Sequence, residues 1–194
     1  SHKIISEAGN VYIGAGYGVF PIDVDRDGDM DVVSFTSSSI GGWKVHWSEN
    51  NGSESFTTHT LVSNLNSVYE LFAIDYDRDG DIDILYASQG DQTLVWLENN
   101  GSQSFTSHNV ATGSGYTSIY VIDVDKDGDL DVLSASYNDD KIAWYENNGS
   151  QSFTARTIST SASNAQSVYA TDIDKDGDID VFSASSNDDK IAWY

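Results

Sequence analysis

The chain has 194 residues, a formal net charge of −22 and no cysteine. This length suits one domain with a substantial core, and the lack of cysteine excludes disulfide bonds and thiolate metal sites. The acidity argues against nucleic acid and anionic membranes as partners, and no apolar run approaches the roughly 18 residues of a membrane-inserted helix.

The negative charge is concentrated in four short stretches, each with five aspartates and one basic residue. Together they carry −16 of the total −22, which leaves only −6 for all other residues. We therefore expect the carboxylates to build sites rather than a general acidic coat. The stretches are DVDRDGDMD (23–31), DYDRDGDID (75–83), DVDKDGDLD (123–131) and DIDKDGDID (172–180).

These stretches mark an internal repeat. Their first aspartates, at positions 23, 75, 123 and 172, are separated by 52, 48 and 49 residues. A repeat of this length indicates a solenoid, a propeller or an array. We assign one domain, 1–194, with repeats at about 6–61, 62–110, 111–158 and 159–194 plus 1–5.

Each repeat predicts four short strands in the same order. Strand A precedes the acidic stretch (YELFAID), strand B follows it (DILYAS), strand C ends in tryptophan (TLVW), and strand D follows an Asn-Gly turn (FTSHNVA). Apolar runs such as IDILYA indicate strands covered on both faces. No segment has a sustained helical period. Four antiparallel four-stranded sheets describe an all-β fold, a β-propeller with four blades.

The two ends of the chain predict how the propeller closes. The fourth repeat stops at Tyr194 after its strand C, and the opening segment SHKII (1–5) aligns with the D strands THTLV and SHNVA. Pairing of this segment with the last blade would remove two open edges. We expect a closed four-bladed monomer, with an eight-bladed homodimer or a fragment of a longer propeller as alternatives. Without an initiating methionine, the chain is expected to be a mature form or an excised domain.

The acidic stretches have the donor pattern of a hard-cation site. Carboxylates at positions 1, 3, 5 and 9 can converge, glycine at position 6 permits a sharp turn, and position 7 can offer its carbonyl. Calcium takes about six to eight oxygen ligands in irregular geometry, whereas magnesium is stricter. An EF-hand is excluded because position 12 is serine or tyrosine and both flanks are strands. We predict four calcium sites.

A calcium loop between strands A and B resembles that of FG-GAP (or VCBS) repeats, the blades of integrin-α-like propellers, whose loop reads D-x-D-x-D-G-x-x-D. The segment IGAGYG (13–18) only loosely matches the family's glycine-rich segment, so the repeats are closer to the VCBS-like bacterial form. The resemblance implies side-chain ligands at positions 1, 3, 5 and 9 and a carbonyl ligand at position 7. These residues are Asp23, Asp25, Asp27, Asp31 and Asp29; Asp75, Asp77, Asp79, Asp83 and Asp81; Asp123, Asp125, Asp127, Asp131 and Asp129; and Asp172, Asp174, Asp176, Asp180 and Asp178.

The first repeat departs from the others in its B–C loop (SSSIGGW) and its D–A connection (EAGNVYIGAGYG), both expected on the face opposite the acidic loops. They bring Trp43, Tyr12 and Tyr17 together, with His46 nearby, and we treat these four residues as a candidate ligand patch. The alternative is that the insertions seal the closing blade. The tryptophans and strand-A aromatics that recur in every repeat are interpreted as packing residues.

Three functions fit these features. The first is a secreted or cell-surface calcium-binding module that binds or adheres to a glycan or an extracellular protein, since such modules use abundant calcium at about 10⁻⁴–10⁻³ M. The second is an accessory or catalytic propeller of a secreted polysaccharide-degrading enzyme. Outside the acidic loops only Glu7, Lys44, His46 and Glu70 are candidates, so we expect no enzyme activity. The third is a purely structural scaffold.

Overall fold

The fold consists of β-strands. The structure is a computed structural model that describes residues 18–38, 42–53 and 55–194, and no helix in these ranges is long and apolar enough to cross a membrane. The strands are β1 (Val19–Ile22), β2 (Asp31–Ser38), β3 (Gly42–Asn50), β4 (Phe56–Leu65), β5 (Val68–Ile74), β6 (Asp83–Ser88), β7 (Thr93–Asn99), β8 (Phe105–Thr112), β9 (Tyr116–Ile122), β10 (Asp131–Ser136), β11 (Lys141–Asn147), β12 (Phe153–Ser159), β13 (Ala165–Thr171), β14 (Asp180–Ser185) and β15 (Lys190–Trp193).

The strands form four antiparallel sheets in chain order, one for each repeat. Three sheets have four strands, in the orders β1-β2-β3-β4, β5-β6-β7-β8 and β12-β11-β10-β9, and the fourth is β13-β14-β15. The order within each sheet is the predicted order A, B, C, D. The all-β class and the four propeller-like blades are therefore confirmed, whereas the expected closing strand (1–5) lies outside the described residues.

The B strands form the centre of each sheet. All six residues of β6 and all six of β10 are buried. Both sequences mix branched apolar residues with alanine and serine, and the small side chains let neighbouring layers approach closely. A continuous buried run is typical of a strand covered on both faces, as predicted for DILYAS and DVLSAS.

The chain divides into two compact units: Ser1–Asp91 with Trp96–Ser107, and Gln92–Val95 with His108–Tyr194. In the first unit, the strand-A rings of Phe20 and Phe72 lie 5.4 Å apart between adjacent sheets. In the second, the rings of Tyr120 and Tyr169 lie 4.6 Å apart in the same positions. These contacts confirm that strand-A aromatics pack between neighbouring blades.

The outer edge of the fourth sheet is open within the part of the chain that the structure describes. Ile191 of β15 is 83% exposed, whereas the corresponding Ile142 of β11 is fully buried beneath β12. Trp193 is 56% exposed, whereas Trp47 and Trp96 are buried. A fourth strand covers this edge in each of the other sheets.

Candidate metal centres

The four acidic stretches form loops between strands A and B, and each brings three carboxylates together. Within each group, one oxygen from every member lies within 4.8 Å of the others. Positions 1, 3 and 5 form the group in the first three loops, and positions 1, 3 and 9 form it in the fourth. The groups are Asp23, Asp25 and Asp27; Asp75, Asp77 and Asp79; Asp123, Asp125 and Asp127; and Asp172, Asp174 and Asp180.

Each loop is wound around its own carboxylates. In the first loop, Asp23 Oδ2 accepts a hydrogen bond from the backbone N–H of Gly28 at 3.1 Å. Asp25 Oδ1 accepts one from Asp27 N at 3.3 Å, and Asp27 Oδ1 accepts one from Asp29 N at 2.9 Å. The same three bonds recur in the other loops. Backbone dipoles thus offset part of the repulsion between the aspartates.

This winding requires a left-handed backbone at two positions of every loop. The φ angle at position 4 is 61° at Arg26 and 63° at Lys175, and the φ angle at position 6 is 97° at Gly28 and 105° at Gly128. A non-glycine residue tolerates the first conformation at a cost of roughly 1–2 kcal/mol, and glycine is the residue suited to the second. The same strained conformation in all four loops indicates that the surroundings enforce it.

The donor set fits a hard divalent cation. Asp23 Oδ1 and Asp172 Oδ1 are buried and accept no hydrogen bond from the described residues, although each belongs to a carboxylate group. A buried carboxylate oxygen without a partner is costly, and a cation among the carboxylates would supply the missing interaction. An all-oxygen donor set of clustered carboxylates is the kind that calcium prefers.

The ninth aspartate has a different environment from the first, third and fifth. Asp31 is fully buried, and it accepts hydrogen bonds from the N–H of Val24 at the loop start (3.0 Å) and of Asn50 in the C–D turn (2.8 Å). Asp83 and Asp131 have the same environment. In these three loops, position 9 therefore fastens the acidic loop to the C–D turn and lies outside the group of three carboxylates. The ligand role that the resemblance implies for it stays a prediction. These bonds place each acidic loop beside the C–D turn of its own sheet.

Two of the repeated tryptophans donate hydrogen bonds to the ninth aspartates. Trp47 Nε1 donates to Asp31 Oδ2 at 2.9 Å, and Trp193 Nε1 donates to Asp180 Oδ1 at 2.8 Å. The sequence analysis assigned these tryptophans to packing and missed the hydrogen bond. The signal that could have revealed it is the constant spacing of 13 residues between the ninth aspartate and the tryptophan in the last three repeats (83 to 96, 131 to 144, 180 to 193).

Burial changes the acidity of the ninth aspartates. Desolvation raises the pKa of Asp83 to about 7 and that of Asp131 to about 6, against an ordinary value of 3.8. Hydrogen bonds from backbone N–H groups lower these pKa values in part. The pKa of Asp180 is lowered, because the N–H of Ile173 and the indole of Trp193 bond to its half-buried carboxylate.

The seventh aspartates direct their side chains away from the carboxylate groups. The carboxylate of Asp29 lies against Gly52 in the C–D turn of the same sheet, where a Cβ atom would clash with it. This placement leaves the carbonyl as the group that position 7 can offer, and it explains the glycine of the Asn-Gly turn. In the next loop, Asp81 also lies 3.8 Å from the guanidinium of Arg26.

Two residues of the candidate ligand patch, His46 and Trp43, lie in the described part of the chain. His46 is 1% exposed, and its ring nitrogens lie 2.9 Å from Thr36 Oγ1 and 3.3 Å from Thr60 Oγ1. It is therefore an interior residue and does not belong to a surface patch, because its neighbours in the sheet satisfy its polar atoms. Trp43 is half-buried against the ring of Phe35. Tyr12 and Tyr17 lie outside the described residues.

Another aromatic residue is exposed at the B–C end of a sheet. Tyr137 is 41% exposed and directly follows β10, and its N–H donates to the carbonyl of Gly115 at 2.7 Å. Asp139 accepts a hydrogen bond from Ser114 N at 2.9 Å, so the turn is held firmly. Sequence reasoning missed Tyr137 because it examined the insertions of the first repeat, and the third repeat has none.

Comparisons with known proteins agree with this architecture. The profile of the FG-GAP-like repeat matches residues 23–86, 75–134 and 123–183, each match running from one acidic loop into the strand after the next. No curated protein sequence matches the chain. Among 27 matching solved chains is an Agrocybe aegerita lectin, described as recognising non-reducing terminal N-acetylglucosamine. It is 20% identical, with a TM-score of 0.58 over 85% of this chain and 46% of the lectin chain, and the likeness concerns the fold.

The raised pKa values predict how the metal-free protein responds to pH. The folded protein keeps protons on Asp83 up to a pKa of about 7, whereas the unfolded chain releases them near 3.8. The contribution of this carboxyl group to stability is therefore largest at acidic pH and is lost as the pH rises through about 7. In chelator, we expect the melting temperature to fall between pH 5 and pH 7.5.

Circular dichroism melts in excess chelator would measure this effect, with a salt series at each pH as the control for general repulsion, which salt screens. Excess calcium should remove the decline, because a cation favours the ionised carboxylates. A melting temperature in chelator that rises over the same range would contradict the prediction.

Proposed function

Because this chain belongs to the FG-GAP-like repeat family, we propose that it is a calcium-stabilised β-propeller module that binds a carbohydrate ligand outside the cell and catalyses no reaction. The observation that carries the proposal is the four-fold repetition of one loop in which three carboxylates converge. The lectin fold neighbour supports a binding role. Dependence on millimolar calcium supports an extracellular location.

The first, third and fifth aspartates of each loop would hold the cation, with Asp180 in place of the fifth in the last loop. A bound calcium ion supplies positive charge where carboxylates repel one another. Four such ions would add +8 and change the formal charge from −22 to −14. When the free calcium concentration is about 100 times the dissociation constant of a site, that site contributes roughly 2.7 kcal/mol to the stability of the folded state.

Calcium removal is the direct test of the metal sites. We expect excess chelator to lower the melting temperature sharply or to unfold the chain, because four sites together rival a typical stability of about 5–15 kcal/mol. Isothermal titration should detect about four calcium ions per chain. A melt unchanged by chelator, with no heat of calcium binding, would refute the metal sites.

We also propose that the propeller closes as four blades, with residues 1–5 as the fourth strand beside β15. Support comes from the open edge of β15 and from the alignment of SHKII with the D strands. Deletion of residues 1–5 should lower the melting temperature in calcium, because it would leave that edge without a partner. Light scattering in calcium should give the mass of a monomer, and the mass of a dimer would favour the eight-bladed ring.

For the ligand, we propose a carbohydrate on the face opposite the metal loops. Tyr137 and Trp43 both lie near the B–C ends of their sheets and present aromatic surface. An aromatic ring can stack on the apolar face of a sugar, and the neighbouring Asn138 and Asp139 offer hydrogen-bonding groups. A protein ligand is the second candidate for these aromatic residues.

A glycan array that includes terminal N-acetylglucosamine tests this ligand class. We expect Tyr137→Ala to weaken glycan binding about ten-fold or more, because loss of a stacking aromatic ring costs roughly 1–3 kcal/mol of binding free energy. Tyr137→Phe keeps the ring and should keep most of the affinity. The substitution Trp43→Ala tests the other aromatic residue. Absence of glycan binding with intact calcium sites would refute the carbohydrate, and shortened polysaccharides after incubation would favour an enzyme.

A further inference from the structure

Each strand C carries a tryptophan near the acidic loop, and in the first sheet this ring lies between the ninth aspartate and strand D. We propose that Trp47 and Trp193 are positioning residues for their metal loops: the indole N–H fixes the ninth aspartate, and in the first sheet a stacked strand-D side chain fixes the indole. This inference rests on the proposed calcium binding. It assigns a role to a residue that recurs in all four repeats at Trp47, Trp96, Trp144 and Trp193.

The indole N–H bonds to the ninth aspartate in the first and fourth sheets, whereas Trp144 Nε1 in the third sheet has no hydrogen-bond partner among the described residues. Asp31 Oδ2 accepts hydrogen bonds from Val24 N at 3.0 Å and Trp47 Nε1 at 2.9 Å. In the fourth loop, Asp180 Oδ1 accepts the indole N–H of Trp193 at 2.8 Å while Oδ2 accepts Ile173 N at 2.9 Å. The indole is thus a side-chain donor to the ninth aspartate, and the other groups that donate hydrogen bonds to it are backbone N–H groups.

The opposite face of the indole is held by strand D. The ring of His59 stacks on that of Trp47 at 4.7 Å with an angle of 24° between their planes, and His59 Nε2 lies 2.8 Å from Glu49 Oε2. In the third sheet, the guanidinium of Arg156 lies 5.3 Å from the centre of the Trp144 ring and bonds to Glu146. Trp47 pairs with His59, and Trp144 with Arg156, in the strand register.

In the first sheet these contacts form one continuous path from strand D to the loop. Glu49 fixes His59, the ring of His59 covers that of Trp47, and the Trp47 indole orients the ninth aspartate. That aspartate also bonds to the second residue of the loop, so its orientation sets where the loop begins. Groups outside the ligand sphere that orient ligands in this way commonly change metal affinity by about 10–100-fold.

The fourth loop makes the argument most direct. There the carboxylate that Trp193 holds is itself a member of the converging group with Asp172 and Asp174. Trp193→Phe therefore removes the N–H donor from a candidate ligand while it leaves the aromatic ring.

The test compares three tryptophan-to-phenylalanine variants of the full chain. Trp193→Phe and Trp47→Phe remove the donors of the fourth and first loops. Trp43→Phe is the matched control, because Trp43 lies at the start of β3 against Phe35, at the end of the strand away from the acidic loop. Calcium titration calorimetry and melts in chelator and in calcium are measured for each.

We expect one of the four calcium sites to weaken about ten-fold or more in Trp193→Phe and in Trp47→Phe, and no site to weaken in Trp43→Phe. The calcium-induced rise in melting temperature should shrink in Trp193→Phe while its melting temperature in chelator stays unchanged. If Trp47→Phe does not fold, the Trp193 variant still decides the question.

Two results would overturn the inference, and they are distinguishable. A wild-type chain that binds no calcium would remove the proposed metal sites and this role with them. Wild-type binding with all four sites unchanged in Trp193→Phe, accompanied by a lower melting temperature in chelator, would leave the metal sites standing and make the tryptophan a packing residue only.

Discussion

Repulsion between five carboxylates in nine residues is the constraint on which the rest of this structure depends. At the separations within a group, each carboxylate disfavours the charge of the others, and burial adds to that cost. The chain offsets part of it by turning backbone N–H groups inward, as Gly28 does toward Asp23. That inward turn requires positive φ at positions 4 and 6, so the strained backbone is a consequence of the charge cluster.

The same constraint joins each loop to its sheet. A solvated acidic turn could exist without contact to the strands around it, but here the ninth aspartate is buried and bonds to the C–D turn through Asn50. Asn50 in turn bonds to the carbonyl of Met30 and accepts the N–H of Gly52. A cation bound in such a loop stabilises the strands on both sides of it, which is how metal binding becomes folding free energy.

The features that sequence predicted correctly are those set by neighbours along the chain. The strand order follows from local apolar patterns and Asn-Gly turns, and the converging carboxylates follow from alternation around a glycine. The features it missed depend on which residues face each other across strands. The burial of His46 requires knowing that Thr36 and Thr60 flank it, and the bond from Trp47 to Asp31 joins side chains 16 residues apart.

His46 also shows how departures from a repeat should be interpreted. Its column holds Val95, Ala143 and Ala192 in the other sheets, so a polar residue there suggests a site unique to the first blade. The two threonine hydroxyls supply partners for both ring nitrogens, and the histidine becomes a satisfied interior residue. A residue that differs from its siblings is evidence for a ligand only when its polar or aromatic surface is left uncovered. By that criterion Tyr137, in a repeat without insertions, is a stronger candidate than His46.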